Sequence, residues 1–157
     1  MTRIHIEPAS PDLAGHFLAV LVASFEQYRL TLDPPSGVFK ETPESIARKI
    51  ESGGGFMAYD DTILVGVVLY EFHKDALYLG RLGVLPDYRG QKIAHLLINA
   101  VEQVAVAHQA PCIELGVRIG LVNNQQLFKS LGYEITSYDR HEGYSEITSL
   151  TMVKRLV

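Results

Sequence analysis

The stretch from Leu77 to Ala107 constrains the chain more than any other. Its first part, Leu77-Tyr78-Leu79-Gly80-Arg81-Leu82-Gly83-Val84-Leu85, is too apolar and too interrupted by glycine for a helix, and Pro86 stops it. A buried strand with room for a bulge is expected there. Its second part repeats apolar residues at Ile93, Leu96, Leu97, Ala100, Val101 and Val104, with Gln91, Lys92, His95, Asn99, Glu102 and Gln103 on the other side. That period predicts a long helix with one face on a sheet and one in water. At the junction, successive backbone N–H groups have no intrahelical acceptor, and the helix dipole adds about half a positive charge. Anionic oxygens are the natural partner. Gly90 removes a side chain from their approach, and Arg89 and Lys92 add cationic donors, so the junction reads as a cradle for a pyrophosphate. An ordinary strand-to-helix turn uses the same residue types, so this motif alone leaves both readings open.

Arg89-Gly90-Gln91-Lys92-Ile93-Ala94, preceded by Leu82-Gly83-Val84-Leu85-Pro86-Asp87-Tyr88, resembles the acetyl-CoA-binding motif of the GNAT superfamily of N-acetyltransferases. In that motif Arg or Gln is followed by two residues, Gly, one residue, then Gly or Ala. Arg89 and Ala94 match; Lys92 stands where the first glycine usually is. Downstream, Asn124-Gln125-Gln126-Leu127-Phe128-Lys129-Ser130-Leu131-Gly132-Tyr133 is similar to the family's later helix, which normally carries Tyr at the position of Phe128. Two motifs in the right order, with a strand between them, are far more specific than either alone.

The resemblance implies an α/β (α+β) fold: a mixed, mostly antiparallel twisted sheet of six to seven strands with about four helices and a splayed central parallel strand pair. It implies acetyl-CoA as acyl donor, held by Leu82, Gly83, Val84, Arg89, Gly90, Gln91, Lys92, Ile93, Ala94, Asn124 and Phe128, with the pantetheine arm in the splay beside the backbone of Leu82 and Val84. The acceptor is expected to be a primary amine of a small molecule or peptide. The loop from Thr31 to Glu41 falls where the family walls its acceptor site, which makes Tyr28, Arg29 and Phe39 candidate substrate contacts; core-facing aromatics in a surface connector read equally well.

The remaining elements follow from local signals. Arg3 to Glu7 alternates as a strand, and Ser10-Pro11-Asp12 is a helix start leading to a stripe of Leu13, Phe17, Val20, Leu21, Phe25 and Tyr28. Thr42-Pro43-Glu44-Ser45 starts a second helix with Ile46 and Ile50 inward. Strands are expected at Phe56 to Tyr59 and Ile63 to Phe72 around a hairpin at Asp60-Asp61, with Gly66 marking a bulge. Cys112 to Val117 should run parallel to the preceding strand, because a helix crosses between them. A short helix from Asn123 or Asn124 to Leu131, closed by Gly132, and a last hairpin of Glu134 to Tyr138 and Ile147 to Leu156 complete the chain.

With 157 residues the chain is expected to form one domain, residues 1–157, burying roughly 70% of the surface its unfolded form exposes. Its 47% hydrophobic and 20% charged content argues against disorder, and its apolar runs are too short for a membrane span. No signal-peptide core is evident beside Arg3, His5 and Glu7, so a cytoplasmic location and no membrane partner are expected. A net charge of −4 without a basic run disfavours nucleic acid. The single cysteine, Cys112, excludes an intrachain disulfide and reads as a buried, inert thiol. The six histidines lack helical metal-site spacing, so no metal is expected. A homodimer through sheet edges or C-terminal strands remains open.

Acetyl transfer requires a neutral amine, an oxyanion site and a proton for the thiolate. Tyr144, His141 and Glu114 are the candidate catalytic residues, with Glu71 and His73 also available; spacing singles out none. Phe128 has no hydroxyl to donate. The thiolate then leaves without a dedicated acid, or Tyr144 or water supplies the proton, or the protein is an acyl-CoA or CoA sensor with little turnover.

Overall fold

The computed structural model describes residues 3–156. Seven strands form one sheet in the order β1-β2-β3-β4-β5-β7-β6, comprising β1 (Ile4–Pro8), β2 (Gly54–Asp60), β3 (Ile63–Phe72), β4 (Leu77–Val84), β5 (Cys112–Arg118), β6 (Glu134–Asp139) and β7 (Ser149–Arg155). All neighbours are antiparallel except β4 and β5. Four α-helices cover it: α1 (Ala14–Phe25), α2 (Pro43–Ser52), α3 (Ile93–Ala107) and α4 (Val122–Ser130). The expected mixed sheet with a parallel pair is therefore present, and among the described residues no helix is long and apolar enough to cross a membrane.

Local chemistry explains the helix ends. Ser10 caps a 3₁₀ turn at Pro11–Leu13 that leads into α1, and Thr42 and Ser45 form a reciprocal capping box on α2. The stripe predicted for α1 runs past the regular helix, which ends at Phe25; Tyr28 lies on a following 3₁₀ turn. Two cores result, one on each face of the sheet. Leu97, Ile98 and Val101 of α3 pack on Val65, Val68, Leu79 and Leu115, while Phe17, Leu21, Ile46 and Ile50 of α1 and α2 pack on Val67 and Leu69.

Two expectations need correction. The irregularity in β3 against β2 falls at Val65, since Ala58 faces Gly66 while Tyr59 faces Leu64. Gly66 instead admits α3: a Cβ there would sit 3.1 Å from Ile93 and from Leu97. Cys112, at the start of β5, is half-buried rather than buried, and its thiol donates to the Asp75 carbonyl at 3.4 Å.

The feature that shapes the site is the parallel seam. β4 and β5 pair only at Leu77 with Ile113 and Tyr78 with Glu114, then part. β4 bulges just beyond, where its register against β3 shifts across Arg81 and Leu82 and Arg81 takes a left-handed conformation at φ 50°. The bulge turns β4 away from β5.

Candidate active site

The parting of β4 and β5 opens a cavity of about 500 Å³ walled by Tyr78, Gly80, Arg81 and Leu82 on one arm and Gly116, Val117 and Arg118 on the other. Asn124 and Phe128 of α4 close one side, and Phe25, Gly37 and Lys49 approach from the α1–α2 layer. Gly116 leaves space in the wall for the Tyr78 hydroxyl, which lies 3.2 Å from where a Cβ would be. Burial raises the pKa of the Tyr78 phenol, with Glu114 and Glu71 adding to the effect and Arg81 opposing it.

At the end of β4, the chain passes through a 3₁₀ turn at Pro86–Tyr88 into α3, whose N-terminus has no side-chain cap. Among the described residues, the amides of Gly90, Gln91, Lys92, Ile93, Ala94 and His95 find no acceptor. Gly90, at φ +80°, has open space around it. Donors without partners at a helix start are the arrangement that binds phosphate oxygens.

Side chains in this junction are employed otherwise than the sequence suggested. The Arg89 guanidinium turns to the end of α1, donating to the Ser24 carbonyl at 2.8 Å and to Gln27 Oε1 at 2.6 Å. It caps a helix terminus whose last carbonyls lack intrahelical donors, which competes with a role on phosphate. Gly83 is required by packing, because a Cβ there would lie 2.1 Å from Ser24 Oγ. The Ile93 side chain enters the core, leaving only its amide to the junction. Lys92 is left-handed at φ 63°, ψ 22°, rather than in the first helical turn.

Of the candidate catalytic residues, His141 lines the cavity and binds Thr148 Oγ1 through Nδ1 at 2.5 Å, while Nε2 has no partner among the described residues. The Tyr144 hydroxyl is committed to Asp33, a bond that raises the phenol's pKa and withholds its proton from other acceptors. Glu114 lies outside, on a separate shallow surface cavity with His73, Cys112 and Arg155. Tyr28, Arg29 and Phe39 do not line the cavity either. Tyr28 packs edge-on against Phe25, which does, and the Arg29 guanidinium stacks 4.0 Å above Phe39 while pairing with Glu26 at 2.7 Å. Among the described residues, no three His, Cys, Asp or Glu side chains gather as a metal site.

Sequence reasoning missed Arg81, Lys49, Glu41 and Arg118. Glu41 carries the arrangement, accepting from Lys49 Nζ at 2.5 Å, Ser45 Oγ at 2.6 Å and Arg81 Nε at 2.7 Å, with 4% of its side chain exposed. Burial pushes its pKa up, but the bonds from Lys49, Ser45 and Arg81 outweigh that and bring it to about 2. The available signal was Arg81 itself, the single charge in an otherwise apolar strand.

The model of the Acetyltransferase (GNAT) family matches residues 24–133, well over half of the chain. The chain belongs to the GNAT family. Curated relatives include Acetyltransferase SG1711 of Sodalis glossinidius (strain morsitans), 38% identical over 74 residues, and Acetyltransferase ECA0875 of Pectobacterium atrosepticum, 34% identical over 96 residues. These matches cover 46% and 60% of this chain and 51% and 59% of the two relatives, so the chain spans little more than half the length of each. A PaiA N-acetyltransferase from Thermoplasma acidophilum, solved in complex with coenzyme A, has the same fold at a TM-score of 0.84, with 17% identity over 98% of this chain and 99% of that one.

The GNAT pattern also explains Lys92. The motif's first glycine position is left-handed here, a conformation that costs a residue with a Cβ roughly 1–2 kcal/mol. Lys92→Gly is therefore expected to raise stability by up to about 1 kcal/mol, after the glycine's own entropic cost, and Lys92→Ile to lower it. Denaturant midpoints decide: a fall for Lys92→Gly would show that the lysine side chain contributes more than its backbone costs.

Proposed function

We propose that the protein is an acetyl-CoA-dependent N-acetyltransferase that transfers the acetyl group to a primary amine by direct attack in a ternary complex. The observation that carries this reading is the placement of the free amides of residues 90 to 95 at the end of the strand that forms one wall of the cavity. Diphosphate oxygens bound at the amides would leave a donor's thioester arm to enter between β4 and β5, beside Leu82. Family membership and the coenzyme A complex of the PaiA enzyme support the same cofactor.

The acceptor enters from the α1–α2 layer. His141 accepts a proton from the amine through Nε2, directly or by way of water, since its other ring nitrogen is held by Thr148. The amine nitrogen bonds to the thioester carbon, the carbon–sulfur bond breaks, and the thiolate leaves; its modest basicity permits departure without a dedicated acid, consistent with Phe128 on α4. Glu114 has no part in this scheme, and Tyr144 holds Asp33.

Acetyl-CoA at a hundred times its dissociation constant should stabilise the protein by about 2.7 kcal/mol, and CoA similarly, while ATP at equal concentration should do much less. Thermal unfolding measures this, followed by thiol release over a panel of amines. Absence of any shift with acetyl-CoA would overturn the reading. A second reading, an acyl-CoA sensor, is favoured by Phe128 and Lys92 at two motif positions; it predicts the shift without thiol release from any amine.

A further inference from the structure

We propose that the acceptor amine carries an oxyanion, a carboxylate or a phosphate, and that Arg81 and Arg118 hold it from the two arms of the splay. The inference rests on the acetyltransferase reading above and names the substrate class of the same site.

The strands part after Tyr78 and Glu114, and the two arginines lie a few residues further along each arm, Arg81 on β4 and Arg118 on β5. Both line the cavity. Both also touch the connection between α1 and α2: Arg81 Nε donates to Glu41, and Arg118 donates to the Pro34 carbonyl. This puts them on the face of the sheet opposite α3, away from the amides assigned to the donor's phosphates.

Each guanidinium is fixed by one bond and keeps donors in reserve. Arg81 lies against Gly37, where a Cβ would be 3.0 Å from Nη2. Among the described residues, both Nη groups of Arg81 and the Nε and Nη1 of Arg118 have no acceptor, and no buried side-chain donor goes unpaired, so these nitrogens face solvent in the cavity. A fixed planar fork with free N–H groups suits a carboxylate or phosphate far better than a neutral group, and two such forks lining one cavity favour an anion there.

The charges on the wall agree. Lys49, Arg81 and Arg118 line the cavity, and among the described residues Glu71 is the one carboxylate in its lining. Glu41 lies behind the wall, used up by Lys49 and Arg81, and Asp33 accepts from Tyr144. A polycationic amine would meet like charge here, whereas a single ammonium has Glu71 to approach.

The test measures CoA release from acetyl-CoA with the twenty amino acids, phosphoethanolamine, the corresponding amino-acid amides and spermidine as acceptors. Turnover should concentrate in the acids, with amides at least about tenfold lower in kcat/KM, and the amino acids against phosphoethanolamine tell carboxylate from phosphate. Arg118→Gln should raise KM for the best acid about 10- to 100-fold, leave KM for acetyl-CoA within about twofold, and Arg118→Lys should recover part of the loss. Preference for amides or spermidine, no turnover of any anion-bearing amine, or a raised KM for acetyl-CoA in place of the acceptor would each overturn the proposal. Failure of the acetyltransferase reading is distinguishable, because acetyl-CoA would then neither shift unfolding nor release thiol with any amine.

Discussion

Glu41→Gln is expected to lower the unfolding free energy by about 2 kcal/mol and to flatten the acid limb of the stability profile. Removing the acceptor from a buried ion cluster typically costs roughly 3–5 kcal/mol, because the partner charges are left uncompensated. Here Lys49 and Arg81 keep 37% and 31% of their side chains in water, so the cost falls below that range. The pH dependence has a fixed sign. The folded carboxyl titrates near 2, below its ordinary 4.5, so its contribution is fully present above about 4.5 and is lost as pH falls towards 2. Denaturant unfolding of both proteins between pH 6 and pH 3 checks this: the difference between them should shrink as pH falls. A constant difference would mean that the carboxylate's charge is not what stabilises the cluster. The same substitution frees Arg81 within the bulge, so a loss of acceptor affinity should accompany the loss of stability.

Phe128→Tyr is expected to raise turnover by about a hundredfold, the low end of what a placed general acid contributes. Phe128 is 5% exposed, lines the cavity, and packs edge-on against Tyr133 at 5.5 Å, so its ring is already held where a hydroxyl would be of use. Behind it, the Tyr133 hydroxyl donates to Glu102 at 3.0 Å, and Lys154 pairs with the same carboxylate at 3.1 Å. Tyr133 therefore cannot substitute; burial and Glu102 hold its proton far above neutrality. The expected signature is a higher kcat, an unchanged KM for acetyl-CoA, and a new fall in rate as pH approaches about 10, where an ordinary tyrosine ionises. An unchanged kcat would mean that thiolate departure is not limited by its proton, and acceptor deprotonation would become the step to examine.

Much of the fold was legible because its signals are local. Ser10-Pro11 and Thr42-Pro43 mark helix starts, the period of Ile93 to Val104 marks α3, and the apolar run of β4 broken at Pro86 marks the strand before it. The start of α3 after Gly90 was legible for the same reason. The side-chain roles at the junction were not. Arg89 reaches Ser24, 65 residues earlier, and Arg81 reaches Glu41 across 40 residues, so neither partnership leaves a trace in neighbouring sequence. Gly66 and Gly83 each carry a packing constraint that the sequence did not reveal, because a helix presses on the strand at both positions. Glu114 shows the limit of alternation, which assigned it a strand but not which end of the splay it would occupy.

The short parallel seam has one more consequence. A β-sheet ordinarily confines its unpaired backbone to its two outer strands, and proteins shield those edges from intruding chains. This sheet carries a second pair of edges in its middle, where β4 and β5 diverge after two register pairs. An extended molecule with amide groups of its own can lie there as a surrogate strand, knitting β1-β2-β3-β4 to β5-β7-β6. On that view the acyl donor is also a structural member. The two halves of the sheet should breathe about Leu77 and Ile113 when the seam is open, and move as one body once it is filled.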